Sequence, residues 1–218
     1  MLQKFRKNVY SQNGEDGVIE EICRKLEISN GEFVEFGALD GIKYSNTYNL
    51  LSNNWTGVYI ENDKNHYKEL LKTRENYPEQ VHTLCAYVHY EGENCLDNLL
   101  AKTSVSKEFD LLSIDIDSYD WQVWFSLQNY FPKIVIIEIN SSFPPGILKI
   151  HGDSKPPGIK ALGSSFSSTL ELGKRKGYTL VCHTGNMIFV QDKLVHKIGL
   201  SGVELDFPEV LFDYSWCS

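Results

Sequence analysis

The sequence predicts an α/β fold: a doubly wound, mostly parallel seven-stranded Rossmann-like sheet with a C-terminal antiparallel hairpin. Three observations carry that reading. Short apolar runs alternate with helical patterns from about residue 18 to residue 139, as in a parallel sheet with crossover helices. The acids Glu35, Glu61, Asp115, Asp117 and Glu138 all fall at predicted strand ends, where ligands of such sheets bind. Finally, Tyr178 to His183 and Met187 to Gln191 flank the turn Thr184-Gly185-Asn186, a hairpin signature.

The elements follow in order. Residues 1–14 are a polar lead-in whose end, Tyr10 to Gly17, is dense in hydrogen-bonding groups; Ser11 or Asn13 is the expected N-cap. Val18, Ile19, Ile22 and Leu26 then recur at helical spacing, so residues 1–30 form a lead-in and helix. Phe33 to Phe36 is the first strand, and Gly37 and Gly41 bracket the turn after it. A helix is expected over Tyr44 to Ser52, the second strand over Trp55 to Ile60 and a helix over Asp63 to Arg74. Gln80 to Tyr87 is the third strand and Cys95 to Lys102 a short helix. Asp110 to Asp117 is the fourth strand, apolar until its acidic end. A helix follows over Asp120 to Tyr130, then the fifth strand, Lys133 to Ile139, the most β-prone run of the chain. Residues 141–163 carry four prolines and four glycines without a period and read as a substrate-covering loop. Ser164 or Ser165 caps the last long helix, which Gly177 closes. The tail from Leu194 is weakly patterned, and its aromatic end is expected to dock on the body. The whole, 1–218, reads as one domain.

Composition narrows the function. A net charge of −8 argues against nucleic acid as a partner. No apolar run approaches the length of a membrane span, and the start lacks the apolar core of a signal peptide. Five cysteines without a C-x-x-C pair argue against a cysteine zinc site and fit a reducing, cytoplasmic setting.

The turn after the first strand selects the ligand. A dinucleotide site wants G-x-G-x-x-G around a pyrophosphate, whereas this chain has only Gly37 and Gly41, with Glu35 beside them. That carboxylate repels a pyrophosphate and attracts an ammonium or a sulfonium. Glu61 ends the second strand, where an acid pairs with ribose hydroxyls. Ala86 and Tyr87, at the end of the third strand, are placed along an adenine. S-adenosylmethionine fits these demands. Methyl transfer to a hydroxyl then needs positioning and a base, or a metal that acidifies the hydroxyl. Asp117 is the choice for base or metal ligand, and Asp115 for ligand contact. Glu138 and Asn140 share one face at the end of the fifth strand, with His151 in the loop beyond. Asp117, Glu138 and Asn140 make an oxygen-rich Mg²⁺ site; the alternatives are a metal-free base, and capping roles for these side chains.

Phe33 to Gly41 and Gly57 to Glu61 resemble the class I S-adenosylmethionine-dependent methyltransferases. The lead-in Tyr10-Ser11-Gln12-Asn13-Gly14-Glu15-Asp16, the turn Gly37-Ala38-Leu39-Asp40-Gly41 followed by Ser45-Asn46-Thr47, and the pair Ile114 to Asp117 and Glu138 to Asn140 resemble the FkbM-like methyltransferases. Leu39 departs from the middle glycine of many class I enzymes. The resemblance adds Gln12, Glu15, Gly37, Ala38, Asp40, Gly41, Asn46, Thr47 and Asn62 to the cofactor residues, and His151, placed in the loop within reach of the same pocket, is the second catalytic candidate beside Asp117. It implies O-methylation of a sugar, a surface glycan or capsule, or a secondary metabolite. An NAD-dependent oxidoreductase and a non-catalytic S-adenosylmethionine-binding module are the alternatives.

Overall fold

The computed structural model describes residues 1–152 and 163–217. Residues 153–162 of the predicted loop, with Pro156, Pro157 and Gly158, lie outside the described residues.

The sheet has seven strands: β1 (Glu32–Phe36), β2 (Thr56–Glu61), β3 (Val81–Cys85), β4 (Leu111–Ile114), β5 (Ile134–Glu138), β6 (Tyr178–His183) and β7 (Asn186–Gln191). Their order is β3-β2-β1-β4-β5-β7-β6. The first five pair in parallel, and β7 pairs antiparallel with both β5 and β6. Chain order reverses between β1 and β4, so the switch point lies at the carboxyl ends of these two strands.

The helices are α1 (Glu15–Leu26), α2 (Tyr48–Leu51), α3 (Lys64–Glu75), α4 (Leu96–Leu100), α5 (Asp120–Ser126), α6 (Phe166–Lys176) and α7 (Gly202–Asp206). Crossover helices cover the sheet, so the central strands are apolar on both sides. Val34, Phe36, Leu112 and Val135 join Trp124 and Phe166 in one core layer; Phe33, Tyr59, Leu111 and Ile134 join Ile19 and Trp55 in the other.

Several expected elements are shorter, each for a local reason. The helix expected from Tyr44 begins only at Tyr48, because Ser45, Asn46 and Thr47 all bond to the Glu35 carboxylate. Strand β4 stops at Ile114, and Asp117 has φ +59°, outside the extended region. Helix α5 stops at Ser126, since the Asp97 carboxylate takes the N–H groups of Gln128 and Asn129. The N-cap of α1 is Gly14, in the left-handed region at φ 93°, not Ser11 or Asn13. Asp16 reaches back instead, and its Oδ2 accepts from the N–H groups of Val9, Tyr10 and Ser11. Helix α6 starts as expected: Ser165 accepts from Ser168 N–H, and Gly177 ends the helix with φ 80°.

The tail docks through His183. Its Nδ1 accepts from Asp213 N–H at 3.0 Å. Its Nε2 lies 2.9 Å from Ser141 Oγ, whose own proton goes to the Gly185 carbonyl at 2.7 Å. These partners fix the neutral tautomer protonated on Nε2. The ring stacks on Phe212 at 4.7 Å, and burial pushes its pKa down to about 4. His183 therefore belongs to the core and not to a pocket.

Candidate functional site

A cavity of about 470 Å³ opens at the carboxyl ends of β1 to β5. Of the residues expected to hold the cofactor, Gln12, Glu35, Gly37, Ala38, Glu61, Asn62, Ala86, Tyr87 and Asp115 line it. Asp117 and Glu138 line it as well.

Its floor is where the ends of the parallel neighbours β1 and β4 lie side by side. Gly37 has φ +74°, and a Cβ there would lie 1.6 Å from the Asp115 carbonyl oxygen. Only glycine admits that approach and that conformation. The Gly37 and Ala38 N–H groups bond the Ile60 carbonyl at 3.1 and 3.3 Å. Leu39 takes the left-handed region at φ 50° without being glycine, and its N–H donates to Glu61 Oε2 at 2.8 Å. The missing middle glycine is thus compensated by an acid on the next strand.

Glu61 is buried, and its other oxygen accepts from Asp63 N–H at 2.7 Å. Glu35 is 4% exposed. Its oxygens accept from Ser45 Oγ at 2.6 Å, Thr47 Oγ1 at 2.5 Å and Asn46 N–H at 3.0 Å. Burial holds its pKa above the ordinary range, against the lowering pull of those donors. Asn46 and Thr47, expected at the cofactor, instead hold Glu35; Asn46 also donates to Ser113 Oγ at 3.1 Å. Neither lines the cavity.

Three further expectations fall behind the wall. Glu15 is buried, and its Oε1 accepts from Thr184 Oγ1 at 2.7 Å and Asn186 Nδ2 at 3.2 Å, tying the lead-in to the hairpin. Asp40 accepts from Ile42 and Lys43 N–H groups and shapes the turn. Gly41, at φ +76°, faces Leu70, which a Cβ would meet at 2.7 Å.

The other end of the cavity is acidic in a different way. Asp115, Asp117 and Glu138 each offer an oxygen within 4.8 Å of the others, the one such group of potential metal ligands among the described residues. Strand β4 ends at Ile114, before either aspartate, and the left-handed turn at Asp117 leaves both beside Glu138. Asp115 and Glu138 hydrogen-bond each other, and both pKa values are raised, by burial first and then by the surrounding negative charges. Behind them, buried Asp120 accepts from Ile116 N–H at 2.8 Å and Ser118 N–H at 2.9 Å, and burial pushes its pKa up to about 6. Sequence reading gave that capping role to Asp117 as its alternative. Asp120 was legible only as an acid in the first turn of a helix.

Asn140 does not join the cluster. Its Oδ1 accepts from Ser142 N–H at 3.1 Å, closing a turn, and it does not line the cavity. His151 does not reach the cavity either. It is 6% exposed and packs edge-on against Tyr119 at 5.3 Å.

No family model matches the sequence, and no curated protein matches it. Solved structures do. The chain is similar to an S-adenosylmethionine-dependent methyltransferase from Clostridium acetobutylicum, with 9% identity, TM-score 0.51, and 84% of this chain and 93% of that one covered. It is likewise similar to a Staphylococcus aureus structure assigned by name to the caffeoyl-CoA O-methyltransferases, with 12% identity, TM-score 0.52 and 84% of each chain covered. The chain has the fold of these methyltransferases.

Within that fold the cavity divides. At the ends of β1 and β2 the acids are held by hydrogen-bond donors, and at the ends of β4 and β5 they face one another. Sequence reading also passed over Lys43, which lines the cavity from the loop before α2. No helix among the described residues is long and apolar enough to cross a membrane.

Proposed function

We propose that the protein is an S-adenosylmethionine-dependent O-methyltransferase of the FkbM-like kind, cytoplasmic, acting on a small hydroxylated acceptor such as a sugar of a surface glycan. The observation that carries this is the cavity floor. Gly37 lies against β4 with no glycine-rich phosphate cradle, and Glu61 stands at the end of β2. A pyrophosphate finds no cluster of free N–H groups there, since those of Gly37 and Ala38 are bonded to Ile60.

S-adenosylmethionine supplies a methyl group on a sulfonium, which leaves as a neutral thioether when the acceptor oxygen attacks. The residues then have separate tasks. Glu61 accepts from the ribose hydroxyls with the lone pairs that Leu39 and Asp63 leave open. Ala86 and Tyr87 flank the base. Asp117, the exposed member of the acidic group, takes the acceptor's hydroxyl proton. Asp115 and Glu138 sit behind it, hydrogen-bonded to each other through a shared proton, and leave one negative charge facing the sulfonium. The same three carboxylates suit a hard cation such as Mg²⁺: all donors are oxygens, and their mutual repulsion favours a positive ion among them. Asp115, Asp117 and Glu138 would hold it, and it would acidify the acceptor hydroxyl.

A thermal-shift panel tests the reading. S-adenosylhomocysteine raises the melting temperature, because a ligand that binds only the folded state stabilises it, by about 2.7 kcal/mol at a hundredfold excess over Kd. NAD gives no shift. A shift with NAD and none with S-adenosylhomocysteine contradicts the proposal.

A further inference from the structure

The cavity is lined by six carboxylates, those of Glu35, Glu61, Asp63, Asp115, Asp117 and Glu138. Against them stands one lining lysine or arginine, Lys43. Among the described residues Lys43 forms no ion pair; its Nζ rests 4.7 Å from the centroid of the Tyr44 ring. The loop beneath it is fixed. The Lys43 N–H donates to Asp40 Oδ1 at 2.7 Å, and Tyr44 holds the left-handed region at φ 62°. One residue further, Ser45 Oγ is bonded to Glu35 at 2.6 Å. Lys43 therefore reaches the cavity from a loop that is anchored on both sides, by Asp40 before it and by the Ser45–Glu35 bond after it.

We propose that Lys43 recognises the carboxylate at the amino-acid end of the bound nucleoside and so sets the cavity's preference for a zwitterionic tail. This rests on the methyltransferase reading above. That ligand carries one negative group into a cavity whose fixed charges are otherwise negative. A carboxylate there is repelled unless a cation meets it. The ammonium beside it needs no such help, since acids surround it. Lys43 is thus a specificity-determining residue for the tail and has no part in holding the adenosine.

The test separates tail from adenosine. Calorimetry compares S-adenosylhomocysteine, which has the amino-acid end, with 5′-methylthioadenosine, which lacks it, on wild type, Lys43→Ala and Lys43→Arg. Lys43→Ala weakens S-adenosylhomocysteine about tenfold, the scale of one lost hydrogen bond to a charged group, and leaves methylthioadenosine unchanged. Lys43→Arg stays within about threefold of wild type for both. Because Lys43 is exposed, the unliganded melting temperatures should agree, which excludes a folding defect. An unchanged affinity for S-adenosylhomocysteine in Lys43→Ala, or an equal loss for both ligands, overturns the assignment and leaves the methyltransferase reading standing. Wild type that binds neither ligand overturns that reading and this one with it.

Discussion

The two ends of the cavity use the same residue type in opposite electrostatic states. At β1 and β2, Glu35 and Glu61 are buried carboxylates whose oxygens are met by hydroxyl and backbone donors. At β4 and β5, Asp115, Asp117 and Glu138 converge within 4.8 Å, with Asp115 and Glu138 bonded to each other. A carboxylate that is fully met holds loops in place, whereas carboxylates that crowd one another favour a proton or a cation. The first state builds a binding surface and the second suits chemistry.

The largest expected effect comes from joining the two ends. Gly37→Ala places a Cβ 1.6 Å from the Asp115 carbonyl oxygen at a φ of +74°. Loss of cooperative folding, a cost of more than about 4 kcal/mol, is expected in a circular-dichroism melt. A folded variant would show that the two strands can part.

Next is the satisfied end. Glu35→Ala leaves Ser45 Oγ, Thr47 Oγ1 and Asn46 N–H without their acceptor in a buried site. Denaturant unfolding should report a loss of roughly 3 kcal/mol, from the cost of orphaned buried donors. A loss below about 1 kcal/mol would mean that Glu35 does not organise the loop.

His183 provides a pH-dependent control away from the cavity. Its folded pKa lies near 4, below the ordinary 6.5, so the buried ring is neutral. The unfolded state then binds a proton first as pH falls. The His183 contribution is present above about pH 6.5 and declines toward pH 4, by roughly 3 kcal/mol in total. The raised pKa values of Asp115 and Glu138 act in the opposite direction over that interval. The difference between wild type and His183→Gln isolates the histidine: it should shrink as pH drops from 7.5 to 4.5. A difference constant with pH contradicts a buried neutral ring with a lowered pKa.

The smallest effect has the opposite sign. Glu138→Gln removes the cost, at neutral pH, of keeping protonated a buried carboxyl whose pKa is pushed up to about 9, and it keeps a hydrogen-bonding partner for Asp115. It should raise the melting temperature of the unliganded protein by a few degrees, about 1 kcal/mol. Destabilisation instead would mean that the cluster is not repulsive.

The sequence made the sheet legible because its signals are local. Apolar runs, a glycine turn and a hairpin turn set strand number and direction, and the observed order follows. Acids at strand ends were legible because acids suit strand interiors poorly. What could not be read was how side chains share partners across the cavity. Glu35, Asn46 and Thr47 looked like parallel contributions to one ligand, but Asn46 and Thr47, with Ser45, bond to Glu35. The end of β4 was expected at Asp117 and lies at Ile114, because the left-handed turn at Asp117 is not signalled by a glycine. Asn140 and His151 were assigned from proximity in sequence, and both are held elsewhere by short-range turns and ring packing.

The division of the cavity is tested most directly by titrating S-adenosylhomocysteine calorimetrically into wild type, Glu61→Gln and Asp117→Asn. Glu61→Gln should bind about tenfold more weakly, through one lost acceptor for the ribose, while Asp117→Asn binds as wild type does. Unchanged binding in Glu61→Gln together with a tenfold loss in Asp117→Asn would contradict it.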